Sequence, residues 1–345
     1  MMSGNRPLVS VIVLNWNKKD YLLRCLDSVF RQDYPNLEVL FVDNGSEDGS
    51  VTFVREHYPD ARVIALGHNM GFAPANNIGI QEASGTYVMS LNNDTELDER
   101  CIGELVRVIE QHPNAWSCSP KIVSFELPTT IVNVGIESRN FEPGDRGHGD
   151  PDDGRYDQVE EIFGPNGGAG LYRQEILDEI GGFDEDFVAY YEDVDLAWRA
   201  RLAGWSSVFA PDAICRHAFG GTNKSRPFYI EYHIFRNIIW LYTKDLPYTY
   251  LLEKLPTLLK QEVIFWISHL RRWDIRWLKM KVHTYQKLPR MFRKRRAIQK
   301  NRRIDNQEFE RWYRPAPPST SPGRSPANLR TSSSSSSTGM DVTTP

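Results

Sequence analysis

A doubly wound, mostly parallel α/β sheet is predicted for the N-terminal part of this chain, on three observations. Short apolar runs rich in β-branched residues recur at 8–14, 37–42, 61–66 and 86–91, helical apolar spacing separates them, and Asn or Asp directly follows three of the runs. Strand and helix alternating in this way build a sheet covered on both faces, and such sheets take ligands beyond the carboxyl ends of their strands. The polar residues at those ends are therefore the candidates for function.

Taken in order, the first run (LVSVIVL) leads into a helix with Leu22, Leu26 and Val29 at i, i+4 and i+7. LEVLFV is followed by a helix from Val51 to His57, and ARVIAL by one from Ala75 to Ala83, opened by Pro74 and stopped near Gly85. TYVMSL is the fourth strand. Residues 124–160, rich in Gly, Pro, Asp and Glu, read as an inserted loop or small sheet excursion. Order returns at Ile162 with FGPNGGAGLYR, a helix from Gln174 to Ile180, a GGFDE turn, an aromatic run Phe187–Tyr191, and a helix from Val194 to Ala203 ended by Gly204.

The 345 residues, 40% hydrophobic and 25% charged, exclude a wholly disordered, collagenous or polytopic membrane chain. Cys25, Cys101, Cys118 and Cys215 stand apart, in no zinc-ligand spacing, and read as reduced thiols. With no leader pattern at the N-terminus, the expected location is cytoplasmic. The net charge of -4 hides an asymmetry: residues 1–223 carry 17 Lys and Arg against 36 Asp and Glu, whereas 224–314 carry 22 against 8. Three regions follow: an acidic body at 1–223, a helical basic region at 224–314, and a Pro/Ser/Thr-rich tail at 315–345 expected to be disordered. The apolar pattern at 251–270 is too interrupted for a clean membrane span, and the basic run Arg290–Arg303 suits the anionic face of a membrane rather than nucleic acid. Peripheral attachment to the inner face of the plasma membrane is the expectation.

Three strand ends carry Asn or Asp in succession. Asn15-Trp16-Asn17 ends the first, and Asp43-Asn44-Gly45-Ser46 the second; such groups suit the edge of a base and its ribose. Asn92-Asn93-Asp94 ends the fourth, where a carboxylate can hold a hard divalent cation that also takes phosphate oxygens. Between the third strand and its helix, Gly71 permits close backbone approach, and Asn76 and Asn77 fall in the expected first helical turn, where N–H groups favour a polar ligand.

The order VSVIVLNWN, LEVLFVDNGSEDGS, NMGFAPANNIGI, LNNDT, GAGLYR, GGFDEDF and YYEDVDLAWRARLAGW resembles glycosyltransferase family 2, especially its rhamnosyltransferase-like members. The resemblance covers about residues 7–223, with a weaker echo in FYIEYHIFRNIIW. It implies the GT-A fold and inverting transfer of a sugar from a nucleotide diphosphate to an acceptor hydroxyl. Asp43 would then bind base and ribose, with Asn15, Asn17, Asn44, Gly71, Asn76, Asn77, Asn92 and Asn93 around the donor. Asp94 would be the metal carboxylate, in a triplet where Asn92 replaces the first acidic residue, and His217 would complete a site for Mn2+ or Mg2+. Glu192 and Asp193 match the ED motif, with Asp193 in the position of the base, kept ionised by the helix N-terminus. Gly167, Gly168 and Ala169 would leave room for a sugar, Gly220 and Gly221 would let a loop close, and Trp198 reads as core. The implied partners are a nucleotide-diphosphate sugar, dTDP-rhamnose favoured and a UDP-sugar possible, and a saccharide or lipid-linked acceptor in cell-surface polysaccharide synthesis.

The competing reading is a catalytically idle sugar-nucleotide binding module, suggested by Asn92. A nucleotidyltransferase or a dinucleotide-dependent oxidoreductase would need a Gly-rich phosphate loop after the first strand, which Asn15-Trp16-Asn17 is not.

Overall fold

The computed structural model describes residues 6–139, 142–218, 227–270 and 275–313. The tail beyond 313 and Gly220 and Gly221 lie outside the described residues.

The four expected strands form as β1 (Val9–Asn15), β2 (Leu37–Asp43), β3 (Arg62–Ala65) and β4 (Tyr87–Asn92), joined by α1 (Lys19–Phe30), α2 (Ser50–His57) and α3 (Phe72–Glu82). There follow β5 (Thr95–Leu97), α4 (Cys101–Glu110), β6 (Ala115–Ser124), β7 (Ile131–Asn133), β8 (Ile136–Arg139), β9 (Glu142–Asp145), β10 (Glu160–Ile162) and β11 (Ala169–Arg173). Then come α5 (Gln174–Ile180), α6 (Glu192–Leu202) and β12 (Ser206–His217). The C-terminal helices are α7 (Pro227–Asp245), α8 (Tyr248–Leu270), α9 (Ile275–Gln286), α10 (Leu288–Lys300) and α11 (Asn306–Tyr313).

The main sheet runs β10-β12-β6-β11-β4-β1-β2-β3, with β5 on β12 and β7 on β6. The β4-β1-β2-β3 block is parallel, whereas β11 lies antiparallel between β4 and β6. Period-2 alternation along β1 sends Val9, Val11 and Val13 to the core under α1, α2 and α4, and Ile12 to the opposite core with α3, α5 and α6. Each fully buried aliphatic side chain there contributes roughly 1.5–3 kcal/mol. As an edge strand β3 keeps its residues partly exposed, unlike the buried strand expected. The 124–160 segment is a sheet excursion, with β8 and β9 paired on their own.

Two helix starts differ from expectation. α3 begins at Phe72, not Ala75, because Ala73 N–H donates to Val188 O at 3.0 Å and so fixes the first turn earlier. Asn76 and Asn77 are consequently in the second turn. α6 begins at Glu192, which puts Glu192 and Asp193 inside its first turn.

The C-terminal helices share a core with the sheet: Trp240, Met291 and Phe309 are buried in the same cluster as Ile12, Phe187 and Trp198. A buried ionic network fastens them. Lys244 pairs with Asp184 and Asp195, and Lys294 with Asp184 and Asp186. Burial alone would raise the Asp184 pKa, yet Lys244 and Lys294 hold it well below the usual carboxylate range. This network takes up part of the basic run. Lys294 and the buried Arg295, which donates to Thr243 O at 3.0 Å, face the protein, whereas Arg293 and Arg296 are exposed. Among the described residues no helix is long and apolar enough to cross a membrane.

Candidate active site

Strand register assembles one side of the cleft. Asn15 lies opposite Asp43 in the β1–β2 pairing, and Asn92 opposite Leu14 in the β1–β4 pairing, so the polar residues of three strands end level with one another. Asn15 Nδ2 donates to Asp43 Oδ1 and to Ser46 Oγ, both at 3.0 Å, and Asn93 Nδ2 donates to Asn15 Oδ1. Ser46 N–H donates to the other Asp43 oxygen at 2.9 Å. Asp43 is only 2% exposed and both its oxygens already accept hydrogen bonds, so it orders the loop that a ligand would meet. The exposed group here is Asn17, whose Oδ1 accepts from Glu47 N–H at 2.8 Å.

Other expected donor residues turn out to hold loops. Asn44 Nδ2 donates to Asn69 Oδ1 at 3.2 Å and Gly71 O at 3.1 Å, while its Oδ1 accepts from Met70 N–H. Gly71 has φ +96°, and a Cβ there would lie 2.5 Å from the Val188 side chain; the close approach it permits is to the 187–191 loop. Asn77 brackets Phe183 with two hydrogen bonds, Nδ2 to its carbonyl at 2.8 Å and Oδ1 from its amide at 2.9 Å. Asn76, 1% exposed, donates back to Phe72 O at 3.1 Å. Neither offers a first-turn N–H to a ligand, because the helix begins further upstream.

Asp94 and His217, 123 residues apart in the chain, meet at the seam of β5 and β12, where His217 pairs with Thr95. His217 Nε2 lies 3.1 Å from Asp94 Oδ1, and Ala218 N–H donates to Asp94 O at 3.0 Å. One carboxylate oxygen and one imidazole nitrogen side by side fit a divalent cation such as Mn2+ or Mg2+, with diphosphate and water supplying the remaining ligands. Among the described residues no group of three or more His, Cys, Asp or Glu is arranged to hold a metal ion, so the protein's own ligands here would be Asp94 and His217.

The opposite wall carries the ED pair. Gly167 N–H donates to Asp193 Oδ2 at 3.0 Å, and Val194 N–H to Asp193 Oδ1 at 2.8 Å. The next residue, Gly168, accepts from Asn92 N–H at 2.8 Å and would place a Cβ 2.8 Å from Asn92 Nδ2. Two consecutive glycines thus join the Asp193 wall to the Asn92-Asn93-Asp94 strand end, with the Asp193 and Asn92 side chains packed close against them. Burial, followed by the Asp145 charge, pushes the Asp193 pKa up to about 6 against its two amide hydrogen bonds. Desolvation therefore outweighs the helix N-terminus that was expected to favour the charge. Glu192, buried and beside Asp193, is pushed well above the usual carboxylate range, so Asp193 is the one of the pair that ionises first.

The backbone before this pair is strained. Val188, Tyr190 and Tyr191 all have φ of +67°, a region that costs a non-glycine residue on the order of 1 kcal/mol and is a genuine outlier for β-branched Val. Trp198 is core as expected, 2% exposed and packed on Phe163 and Phe309.

Sequence reasoning passed over the cleft's third side. Asn133, Asp145 and Asn166 line a small cavity with Thr95, Ile122, Val132, Gly168 and His217. Asp145 Oδ1 accepts from Asn133 Nδ2 at 2.6 Å and Asn166 Nδ2 at 3.3 Å. Asn133 and Asp145 come from the aperiodic excursion, where no periodic signal marks a position as inward, and Asn166 from the Gly-rich stretch that follows it.

The model of the family described as Glycosyl transferase family 2 matches residues 10–181. The glycosyltransferase AglE of Haloferax volcanii is 27% identical over 66% of this chain and 70% of its own length. The N-acetylglucosaminyl-diphospho-decaprenol L-rhamnosyltransferase of Mycobacterium tuberculosis is 27% identical over 61% of this chain and 76% of its own. Among solved structures, GalNAc-T7 with UDP, GalNAc and Mn2+ superposes with a TM-score of 0.52 at 17% identity, over 62% of this chain and 44% of that one. Staphylococcus aureus TarS does so with a TM-score of 0.51 at 19% identity, over 71% of this chain and 41% of that one. These structures share the GT-A fold with this chain. With the family model matched over residues 10–181 and the similarity to these glycosyltransferases extending beyond it, the chain belongs to glycosyltransferase family 2 and is a glycosyltransferase.

Proposed function

We propose that this glycosyltransferase is metal-dependent and inverting, and moves rhamnose from dTDP-rhamnose to a hydroxyl of a saccharide or lipid-linked acceptor in cell-surface polysaccharide synthesis. The observation that carries the reading is the joining of Asp193 to the Asp94 strand end through Gly167 and Gly168, which puts a base and a metal-capable pair in one cleft. The likeness to the mycobacterial L-rhamnosyltransferase supports rhamnose as the sugar and a lipid-linked diphosphate saccharide as the acceptor.

Inversion requires the acceptor oxygen to bond to the anomeric carbon from the face opposite the diphosphate. As that bond forms, the bond from the carbon to the diphosphate oxygen breaks with its electron pair, and the hydroxyl proton passes to an Asp193 carboxylate oxygen. The amides of Gly167 and Val194 hold that carboxylate in place, one on each oxygen. Asp94 and His217 would hold Mn2+ or Mg2+, which supplies Lewis-acid neutralisation of charge on the leaving diphosphate. Asp145, Asn133 and Asn166 present acceptors and donors suited to sugar hydroxyls beside His217.

Attachment to an anionic lipid surface is part of the same reading, with a changed location. Along α8, Leu252, Leu255, Leu259, Val263 and Ile267 recur at helical spacing and are 42–58% exposed, and on α9 Ile275, Leu278 and Val282 are exposed too. Lys260, Arg276, Lys279, Arg293, Arg296 and Lys300 are exposed in the same region, a charge complementary to anionic headgroups. Helices with exposed apolar stripes in a basic region suit lying on a membrane.

The test is a panel of nucleotide sugars, dTDP-rhamnose and UDP-sugars included, incubated with and without Mn2+ or Mg2+ while nucleoside diphosphate release and thermal shift are followed. Metal-dependent release from dTDP-rhamnose that Asp94→Ala abolishes is the expected result. Release from another donor alone removes rhamnose, and release undiminished by chelator removes the metal. Asn92 is what favours the idle binding module; donor-induced stabilisation without release, in the presence of an N-acetylglucosaminyl-diphospho-prenol acceptor, would support that reading instead.

A further inference from the structure

The 187–191 loop that precedes Asp193 is held from outside the matched family segment, by two adjacent side chains of α7. Asn237, fully buried, directs Nδ2 at three carbonyls of the loop: Phe187 at 3.0 Å, Ala189 at 2.9 Å and Tyr190 at 2.7 Å. Arg236, also buried, directs Nη2 at Phe187 O at 2.7 Å and Asp186 O at 3.2 Å. Its Nε donates to Asn237 Oδ1 at 2.8 Å, which leaves the Asn237 amide one orientation, with its N–H groups toward the loop. The guanidinium lies 4.4 Å from the Trp240 ring centroid, so the pair is itself braced.

The rest of the loop is equally committed. Val188 O accepts from Ala73 N–H at 3.0 Å and Tyr191 O from Asp195 N–H at 2.9 Å, so every carbonyl from Asp186 to Tyr191 accepts a hydrogen bond. Residues at positive φ persist only where their surroundings over-determine them, and here Asn237 supplies much of that determination. The loop runs directly into Glu192 and Asp193, and its path sets where the Asp193 carboxylate stands relative to Gly167.

We propose that Asn237, oriented by Arg236, is a positioning residue for sugar transfer: it holds the left-handed 187–191 loop so that Asp193 meets the acceptor hydroxyl. The proposal rests on Asp193 being the base. α7 is then part of the catalytic apparatus, although Asn237 reaches neither substrate nor metal site.

Hydrogen exchange on the full chain tests the contact without knowledge of the donor. Asn237→Leu raises exchange in the peptide 187–195 by about tenfold or more, whereas Met280→Ala, which opens the core that α8 and α9 share with Phe228 and Tyr232 at the start of α7, raises exchange there and leaves 187–195 at the wild-type rate. With the donor that the panel identifies, Asn237→Leu lowers kcat by about 100-fold, as a displacement near 1 Å does, while the donor KM stays within about threefold. Its pH profile shifts away from a midpoint of about 6, because Asp193 moves relative to Gly167, Glu192 and Asp145. Asn237→Gln, which keeps the amide donors, recovers part of the rate. Arg236→Lys keeps the charge but loses the Nε donor, and gives the same changes in smaller measure if Asn237→Leu does not fold. Wild-type exchange at 187–195 in a folded variant, or an equal loss of kcat in Met280→Ala, overturns the proposal. Asp193→Asn, run in parallel, separates the two failures. Transfer retained in that variant removes the base assignment; transfer lost there while Asn237→Leu works normally removes the positioning role alone.

Discussion

The two walls of the cleft are built by opposite means. On the donor wall, Asn15, Asp43 and Asn93 sit at the ends of paired strands with ordinary backbone, and their side chains bond to one another. On the opposite wall, Asp193 follows three residues of left-handed backbone and depends on α7, some 44 positions downstream at Asn237, for the shape of its loop. Register costs nothing beyond forming the sheet, so the donor wall is pre-organised by the core. The loop on the other side stores strain, which only a dense set of hydrogen bonds offsets. The wall proposed to present one carboxylate at one place is thus held by more hydrogen bonds from distant elements than the wall proposed to fit the nucleotide.

Breaking the base side should give the largest effect. Asp193→Asn removes the proton acceptor while keeping size and the Val194 amide contact, and single-turnover transfer is expected to fall by roughly 10³-fold or more with donor binding by thermal shift retained. Next in size is the metal pair: His217→Ala is expected to lower metal-dependent turnover by about 10–100-fold and to raise the Mn2+ concentration needed for half-maximal rate, read by metal titration. On the donor wall, Asp43→Asn leaves the strands paired but weakens its contacts to Asn15 and Ser46. We expect the donor Kd to rise about tenfold with the rate at saturation nearly unchanged, a split measured by calorimetry and kinetics. An equal fall in kcat would mean that the two walls do not divide binding from chemistry.

The comparison is sharpened by pH. The Asp193 pKa is raised to about 6, and the reactive form is the carboxylate, so the rate at saturating substrates is expected to rise with pH through that midpoint and level off above it. A flat profile from pH 5 to 8 would separate the rate-limiting step from Asp193. The smallest effect is expected at the membrane face. Leu259→Glu with Val263→Glu should reduce sedimentation with anionic vesicles several-fold while leaving turnover of soluble substrates unchanged, and unaltered sedimentation would remove α8 as the docking face.

Legibility followed locality. The four parallel strands, the strand-end Asn and Asp residues and the ED helix were readable because period-2 runs and turn residues report on neighbours in sequence. Asn44, Asn76 and Asn77 misled as ligands for the same reason: Asn in a loop or helix start signals unusual hydrogen bonding, and only the fold shows that Gly71, Phe72 and Phe183 receive it. FYIEYHIFRNIIW carried Arg236 and Asn237 as a faint echo, without any local pattern that assigns them to a loop some 50 residues earlier. The basic run was legible only in part, because charge count is visible in sequence and charge direction is not: Lys294 points at Asp184 and Asp186, whereas Arg293, Arg296 and Lys300 are exposed.

The amino-acid order by itself determined the layered α/β sheet, the family and the strand ends at which chemistry would gather, because alternation, capping and turn chemistry act over a few residues. Tertiary structure alone decided that Asp94 meets His217, that burial lifts the Asp193 pKa to about 6, and that α7 holds the loop before it. Desolvation, close approach and long-range hydrogen bonds are properties of what surrounds a residue in space, and no local pattern encodes them.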